Sequence, residues 1–438
     1  MRLSKNIKNS LLLITEKIVL IGLSFLNSVL IARIAGPDFF GSYSYILSFG
    51  ALFLPLTVMG LNNLTSKYFI KHPKNSHYYF LAALKVRFSG AIFSLLLGSC
   101  LAYWFFNEVA HIQAIILLLC FQVFNIFNLV EYYYLAKQKV SNTLYIRLSI
   151  LLITKLVILF SIINNASLIT LIALNGAEFI LLGSCYLFIY YKNKQHQHIK
   201  KQPKFTASLS LFNKSKWLFF SGIAAVIYLK IDQLMIAHIL NTKEVAFYAA
   251  AAKLSEFWYV FPVLIANAFN AQLTSTKLNN ARKYKQLLLK ILSFMVSAAC
   301  LISITTFLFS DQIINVLFGE QYSKSAKILQ IHIFASIFIF QRAILSKWLI
   351  IEGHYKFSLY TTGCGAVLNV LLNLWLIPNY GGVGAAWATL MSYMMASMFS
   401  LALFKHTRPF FLLMVKAMLK WPSILLNSYT IANRKHIN

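Results

Sequence analysis

The stretch NTLYIRLSILLITKLVILFSII, residues 142–163, is an apolar block long enough to cross a lipid bilayer as a single helix. Similar blocks recur along the 438 residues, of which 59% are hydrophobic and only 12% are charged. Soluble domains are about 45–50% apolar and about 25% charged. The composition therefore excludes a water-soluble enzyme and predicts an all-α integral membrane protein, because helices satisfy their own backbone groups in lipid.

Apolar blocks of about 20 residues, separated by polar breaks, predict twelve transmembrane helices. The first block is longer than the core of a cleaved signal peptide, so we interpret it as a retained span. The predicted spans are 10–32, 42–66, 80–106, 112–136, 142–163, 168–191, 216–240, 245–273, 287–309, 327–351, 356–376 and 383–404.

The charge of the loops predicts the orientation of these spans. The chain has 40 Lys and Arg against 11 Asp and Glu, a formal net charge of +29. If the N-terminus is cytoplasmic, most loop cations fall on the inner side, and the outer loops hold only Arg33, Lys243, Lys324 and Lys327. Because basic loops stay in the cytoplasm, we predict that both termini lie there. The positive charge then serves orientation and contact with membrane lipids, and we predict no nucleic-acid partner.

An internal repeat divides the predicted spans into two halves, although chance similarity between apolar segments is the alternative. The segments IARIAGPDFFGSYS, from Ile31, and IAHILNTKEVAFYA, from Ile236, align without a gap. Six spans per half would give parallel repeats with a central cavity between them. The predicted parts are an N-terminal six-helix lobe (1–191), a basic cytoplasmic linker (192–215), a C-terminal six-helix lobe (216–405) and a basic, amphipathic cytoplasmic tail (406–438).

Charged side chains inside spans are costly and are therefore the first candidates for function. Lys155, Lys230 and Arg342 lie near the centres of their spans, and we predict that they line a polar cavity and bind an anionic substrate. Three more cations lie one or two turns from cytoplasmic span ends, where long side chains can reach the interface: Lys85, Arg87 and Arg147. Of these, Arg147 is also a substrate-binding candidate.

Three acidic residues within spans are candidates for coupling transport to an ion: Glu178, Asp232 and Glu256. Asp232 lies two residues from Lys230, so the two side chains point to different sides of one helix. Glu256 lies three residues from Lys253, and a local ion pair is the alternative to a coupling role.

Three tyrosines, residues 132–134, follow Glu131 near the predicted inner surface. Tyrosines at that depth are typical of an interfacial aromatic belt. Stacking on sugars is the alternative interpretation.

Sequence motifs for soluble-type catalysis are missing. The chain has no HExxH, GxxxxGK[ST] or GxSxG pattern. The five cysteines all lie in apolar blocks without a CxxC pair, so we interpret them as small buried hydrophobes. We therefore predict a protein that is not an enzyme and that needs no metal or cofactor.

Three stretches together resemble the Wzx-type polysaccharide flippases of the multidrug/oligosaccharidyl-lipid/polysaccharide exporter superfamily. They are ARIAGPDFFGSYSYILSF (32–49), YLKIDQLMIAHILNTKEVAFYAAAAKLSEFW (228–258) and IPNYGGVGAAWATLMSY (377–393). The first contains Arg33, which the resemblance adds to the substrate-binding candidates. The second contains Lys230, where arginine is commoner in the family, and a lysine makes a bidentate phosphate contact less favourable.

The resemblance implies a MATE-like bundle of two six-helix lobes in the bacterial inner membrane. It implies that the chain moves an undecaprenyl-pyrophosphate-linked oligosaccharide repeat unit from the cytoplasmic to the periplasmic leaflet by alternating access. Such a unit belongs to O-antigen, capsule or exopolysaccharide synthesis. The implied partners are this lipid-linked glycan and membrane lipids, with a polysaccharide polymerase and a chain-length regulator downstream.

Two other functions stay open at this point. A lipid II or multidrug exporter of the same superfamily would share the fold, although cationic drugs favour an acidic cavity. An integral-membrane O-antigen polymerase or ligase would usually carry a large periplasmic loop, whereas the longest hydrophilic loop here is the predicted cytoplasmic one.

Overall fold

The computed structural model describes residues 5–106, 108–139, 141–192 and 202–435. This part of the chain consists of α-helices, short 3-10 and π segments and loops, and it contains no strand. The α-helices are α1 (Lys5–Val58), α2 (Asn62–Lys71), α3 (Ser76–Phe105), α4 (Val109–Gln122), α5 (Leu129–Ala136), α6 (Ser141–Ile163), α7 (Leu168–Lys192), α8 (Phe205–Ile239), α9 (Thr242–Phe257), α10 (Val260–Asn279), α11 (Ala281–Leu308), α12 (Ser310–Leu317), α13 (Lys324–His332), α14 (Ala335–Ile351), α15 (Tyr355–Met394), α16 (Ser400–Ala402) and α17 (Arg408–Lys435).

Ten helical stretches of the described chain are long and apolar enough to cross a membrane. Each of the twelve predicted spans overlaps one of them. The stretch Thr15–Lys71 covers the first two spans, and Lys356–Ala402 covers the last two. The prediction of an all-α multi-pass membrane protein is therefore confirmed.

In each of two long helices, a glycine separates two predicted spans. Gly36 in α1 has φ of 79°, and Gly381 in α15 has φ of 58°. Left-handed backbone is costly for residues with a Cβ but not for glycine. Pro37 directly follows Gly36, and proline suits the first turn of a helix. The predicted loops 33–41 and 377–382 are thus each reduced to a break at one glycine.

The break in α1 has a counterpart in the second repeat segment. The alignment of the two segments pairs Gly36 with Asn241 and Pro37 with Thr242. In the structure, α8 ends at Ile239 and α9 begins at Thr242, so a helix restarts at both aligned positions. The repeat identified in the sequence thus coincides with a repeated helix break.

The chain divides into two compact units, Met1–Ala246 and Phe247–Asn438. In the first unit, α8 packs against α1 and α3, so residues 216–246 group here with the first unit. A repeat boundary and a packing boundary are different properties, and the division of the chain at 192–215 stays a prediction. Residues 193–201 of the predicted linker lie outside the described residues.

Helix α1 is central to the first unit, where it packs against α3, α6 and α8. After its break, α1 also approaches the start of α9 closely. A Cβ added at Gly41 would lie 1.9 Å from the carbonyl oxygen of Thr242. Only glycine permits this backbone separation, since real Cβ atoms do not approach an oxygen so closely.

Replacing Gly41 with alanine should therefore lower the thermal stability of the protein, because the two backbones must separate to admit the methyl group. Gly22→Ala is the matched control on the same helix, since a Cβ there meets nothing within 4 Å. The control should keep or slightly raise stability, because alanine is favoured over glycine in helices by about 1 kcal/mol. Unfolding midpoints of the detergent-solubilised variants measure the difference. Equal midpoints for both would contradict the close approach.

In the second unit, α11 packs against α14 and against α17, which contains most of the predicted tail. Phe410, Met414 and Ala417 of α17 are buried. The rings of Phe410 and Trp348 lie 4.9 Å apart. The first half of the tail is therefore a packed helix, and its cytoplasmic location stays a prediction.

Candidate functional site

Helix α6 carries two of the predicted cations, Arg147 and Lys155, within an otherwise apolar segment. They are eight residues apart, or about 12 Å along the helix axis. Each side chain reaches a carboxylate on a different neighbouring helix. Two polar clusters thus form within the first unit, one around each cation.

The cluster around Arg147 joins three helices. Arg147 binds Glu16 of α1 through two nitrogens, Nε and Nη2, and the Nη2–Oε2 distance is 2.6 Å. Its Nη1 donates to Glu131 of α5. The Glu16 side chain has no exposed surface, whereas Arg147 is 20% and Glu131 26% exposed. This bidentate geometry is the strongest form of carboxylate pairing, so the cluster fixes α1, α5 and α6 together.

The cluster around Lys155 brings together residues for which the sequence predicted separate roles. Lys155 Nζ lies 2.5 Å from Oε1 of Glu178 on α7, and Thr154 Oγ1 donates to the same carboxylate oxygen at 3.0 Å. The side chains of Lys155 and Glu178 are only 12% and 16% exposed. A predicted substrate-binding cation and a predicted ion-coupling acid therefore form one ion pair.

Neutral polar groups complete this Lys155 cluster. Lys155 Nζ is 3.4 Å from Asn175 Oδ1, and Asn175 Nδ2 donates to the hydroxyl of Tyr43 at 2.9 Å. Asn27 Nδ2 donates to the backbone carbonyl of Lys155 at 3.0 Å. We define the Lys155 cluster as Asn27, Tyr43, Thr154, Lys155, Asn175 and Glu178. It links α1, α6 and α7 through polar contacts inside an apolar bundle.

Lys230 and Asp232 lie on α8 in different environments. Lys230 is half-buried and lines an open groove of about 480 Å³ between α1 and α8. Asp232 is buried, with 1% of its surface exposed. The prediction that the two side chains do not share one cavity agrees with this placement. Nearby, Ser48 of α1 donates to Gln233 Oε1 at 2.7 Å and ties α1 to α8 beside them.

The remaining predicted site residues, Arg33, Glu256 and Arg342, are not members of these clusters. Arg33 is exposed on α1, three residues before the break at Gly36. Arg342 and Glu256 are half-buried and belong to the second unit. Arg342 Nη1 donates to the carbonyl of Ala396 at 2.5 Å, within a π segment at residues 395–399. Such segments loosen the regular ladder of a helix and leave carbonyls available to other donors.

Arg87 departs from the sequence prediction. Its side chain is fully buried and does not reach the interface. Nη1 donates to the carbonyl of Ile126 at 3.2 Å, and Nη2 donates to Asn62 Oδ1. Ile126 lies in a 3-10 segment between α4 and α5, where backbone carbonyls lack regular helical partners. Arg87 thus stabilises a helix break. Lys85 is exposed, and its Nζ donates to the carbonyl of Pro203.

The prediction of an interfacial belt at residues 132–134 is also wrong for two of its three rings. Tyr133 and Tyr134 are buried, with 2% and 1% of their surface exposed. Tyr133 packs against Phe80 and Tyr190 within one hydrophobic cluster. Both rings belong to a hydrophobic cluster of the first unit, and they contact each other edge to face.

Uncharged amides inside spans are the site residues that the sequence reasoning missed. Asn27 and Asn175 belong to the Lys155 cluster, and the second unit buries Gln341, Asn369 and Asn373 completely. Asn373 Nδ2 donates to Asn369 Oδ1 at 3.2 Å. A buried amide without partners is costly, so Asn and Gln within apolar spans are a signal that could have identified these positions. Within the described chain, no group of three His, Cys, Asp or Glu side chains could hold a metal.

The fold resembles solved membrane transporters over almost the whole chain. An inward-facing multidrug resistance MATE family transporter of the MOP superfamily matches with a TM-score of 0.73 and 10% identity, covering 93% of this chain and 95% of that one. The lipid II flippase MurJ, in an inward closed conformation, matches with a TM-score of 0.67 and 15% identity, covering 94% and 92%. The described helices thus have the fold of a MATE-like membrane transporter.

Sequence comparisons identify the family. The model described as polysaccharide biosynthesis protein matches residues 7–271, and the MatE model matches 218–375. This chain belongs to the polysaccharide biosynthesis protein family. The resemblance carried by the three motifs is thereby confirmed.

Two curated relatives are similar to this chain. The probable low-salt glycan biosynthesis flippase Agl15 of Haloferax volcanii is 27% identical over 197 residues, or 44% of this chain, and the match spans 41% of that relative. The capsular polysaccharide biosynthesis protein CapF of Staphylococcus aureus is 22% identical over 385 residues, covering 85% of this chain and 92% of that one. Agl15 is named as a flippase, and the two solved structures are a flippase and a transporter, which agrees with the prediction of a transporter.

Proposed function

We propose that this chain is a flippase for a glycan carried on undecaprenyl pyrophosphate. It moves the lipid-linked repeat unit from the cytoplasmic to the periplasmic leaflet of the bacterial inner membrane by alternating access. Family membership and the relative named as a glycan biosynthesis flippase support a lipid-linked glycan as the substrate class. The observation that carries the proposal is the Lys155 cluster, in which a carboxylate and one amide hold a cation inside an apolar helix bundle.

The cluster can exchange one anion for another. The Lys155 ammonium is a point charge that binds a carboxylate or a phosphate oxygen with similar geometry. When a diphosphate displaces Glu178 from Lys155, the Thr154 hydroxyl, which donates to that carboxylate, becomes a neutral donor for the phosphate oxygens. Arg33, Arg147, Lys230 and Arg342 are the further substrate-binding residues in this proposal.

The ion pair also offers a route for ion coupling. Protonation of Glu178 would neutralise the carboxylate and release Lys155 for a phosphate, so proton uptake and substrate binding would favour each other. Asp232 and Glu256 are the other coupling residues that we propose. A buried ion pair that separates only when each charge finds a new partner suits such a role, because an unpaired charge is costly in the bundle.

A lipid II exporter is the second candidate, and the Lys155 cluster favours it over a multidrug exporter. Lipid II shares the anionic head group, so the cluster is compatible with either lipid-linked substrate. A multidrug exporter fits less well, since a cationic drug would be repelled by Lys155.

We also propose an orientation in the inner membrane and partners that act after translocation. Both termini lie in the cytoplasm, as the loop charges predict. The translocated unit then becomes available on the opposite face to a polysaccharide polymerase and its chain-length regulator, which we propose as downstream partners.

Replacing Lys230 with alanine should slow glycan translocation by about ten- to a hundredfold, the range expected for losing a charge-assisted hydrogen bond. Lys85→Ala is the control, because Lys85 is exposed and its Nζ donates to a backbone carbonyl, that of Pro203. Translocation of a fluorescent undecaprenyl-pyrophosphate-linked oligosaccharide into proteoliposomes measures both rates. Full activity of both variants would remove Lys230 from the substrate path.

The same proteoliposomes test the function itself. We expect uptake of the undecaprenyl-pyrophosphate-linked oligosaccharide and little uptake of lipid II. The reverse preference would establish the second candidate. In the native host, deletion should remove the surface polysaccharide while lipid-linked repeat units accumulate inside.

A further inference from the structure

We propose that the groove between α1 and α8 holds the polyprenyl chain of the lipid carrier while Lys230 binds its diphosphate. The inference rests on the proposed function. It adds a location for the apolar part of the substrate. We define the α1–α8 groove by its lining residues, which are Ala51, Leu54, Pro55, Val58, Gly60, Leu218, Phe219, Gly222, Ala225, Val226, Leu229 and Lys230.

The shape of the groove suits a flexible hydrocarbon chain. Its volume is about 480 Å³, and it is partly open to its surroundings. Small residues create the space, because Ala51 lies on the α1 wall and Gly222 and Ala225 lie on the α8 wall. A Cβ added at Gly222 would meet only the Cβ of Pro55, at 4.0 Å. A larger side chain at position 222 would therefore project into the groove.

The groove combines an apolar wall with one cation. Every lining residue except Lys230 is apolar or glycine, and Lys230 lies at the end of the lining sequence on α8. From Leu218 to Lys230 the groove follows about 18 Å of helix. An anionic head group at Lys230 would thus have a continuous apolar path for its attached chain.

The charge of Lys230 selects the lipid that occupies the α1–α8 groove, because the apolar lining alone does not distinguish one lipid chain from another. Bilayer chains are as apolar as the groove, so a hydrocarbon gains little from leaving the lipid unless its shape or its head group is recognised. Lys230 supplies that recognition for a diphosphate. A polyprenyl diphosphate therefore fits the groove better than a neutral lipid does.

The predicted orientation gives the complex a place in the transport cycle. It puts the Gly60 end of the groove toward the cytoplasm and Lys230 at mid-depth of the bilayer. A carrier bound in this way has moved its head group away from the cytoplasmic interface, while its chain still lies in the leaflet of origin. The groove would accordingly be occupied midway through translocation.

Photolabelling tests the proposal on the full chain in nanodiscs of phosphatidylethanolamine and phosphatidylglycerol. The probe is a polyprenyl diphosphate with a diazirine in its chain, and labelled peptides are mapped by mass spectrometry. We expect labels on residues 51–60 and 218–230. Gly222→Leu should reduce this labelling at least about fivefold. Gly363→Leu is the control and should not, since Gly363 lies outside the groove and a Cβ there meets nothing within 4 Å.

A second variant distinguishes recognition of the diphosphate head group from recognition of the polyprenyl chain. Lys230→Gln should reduce labelling by the diphosphate probe but not labelling by an uncharged polyprenol probe. Equal labelling of the groove by a phosphatidylglycerol diazirine probe, unchanged in Gly222→Leu, would show a generic lipid and overturn the proposal. Active translocation with labels outside the groove would also overturn it, and would leave the proposed function intact. A wild-type chain that translocates no lipid-linked glycan would instead contradict the proposed function.

Discussion

Replacing Arg147 with alanine should destabilise the folded protein by about 3–5 kcal/mol, the cost of leaving a buried charge without its partner. Glu16 has no exposed side-chain surface, and its carboxylate is bound by two nitrogens of Arg147. Without the guanidinium, this carboxylate would have to take up a proton or draw water into the bundle. Unfolding midpoints in detergent, together with the yield of monodisperse protein, measure the loss.

Three companion variants show whether pairing is the cause. Arg147→Lys keeps the charge but loses the planar fork, so we expect an intermediate loss. Glu131→Gln should cost less than Glu16→Gln, because Glu131 is 26% exposed and Glu16 is not exposed. The double change Glu16→Leu with Arg147→Leu should recover much of the stability, since well-packed apolar residues often replace a buried ion pair without loss. A double variant no more stable than Arg147→Ala would contradict this account.

Replacing Lys155 with alanine should lower glycan translocation at least about tenfold, because one substitution removes both the partner of Glu178 and the proposed phosphate ligand. It should also lower the unfolding midpoint, since the Glu178 side chain is only 16% exposed. Translocation in proteoliposomes and thermal unfolding in detergent measure the two effects separately.

Paired substitutions then separate folding from transport. The double variant Lys155→Ala with Glu178→Gln removes both charges, so we expect it to regain stability but not translocation. Glu178→Gln alone should keep substrate binding while making transport insensitive to an imposed proton gradient. If the double variant regains translocation, Lys155 is a structural partner of Glu178 and binds no substrate.

The helices of this protein were predictable because the signal for them is local. A block such as residues 142–163 contains its own evidence, since its length and apolarity match the bilayer. The breaks between spans were harder to predict from the sequence. A short polar loop and a break at a single glycine with positive φ look alike in a hydropathy pattern. Gly36 and Gly381 therefore replace the short loops that the sequence suggested.

The side-chain pairs were not predictable because each one joins two different helices. Arg147 and Glu16 are 131 residues apart. Depth along a helix identified Arg147 as a candidate, but it does not give the direction in which a side chain points. Arg87 illustrates the same limit, since its position near a helix end suggested exposure and the neighbouring 3-10 segment buries it.

The two glycine breaks bear on how cargo preference can diverge among related transporters. Gly36 lies in the motif at 32–49 and Gly381 in the motif at 377–393, so two of the three motifs contain a helix break. These two motifs specify where a helix breaks, but they do not specify which cargo is carried. The residues that we propose to contact cargo, in the Lys155 cluster and the α1–α8 groove, lie mostly outside those two motifs. Under this proposal, cargo preference can change through substitutions outside these two motifs.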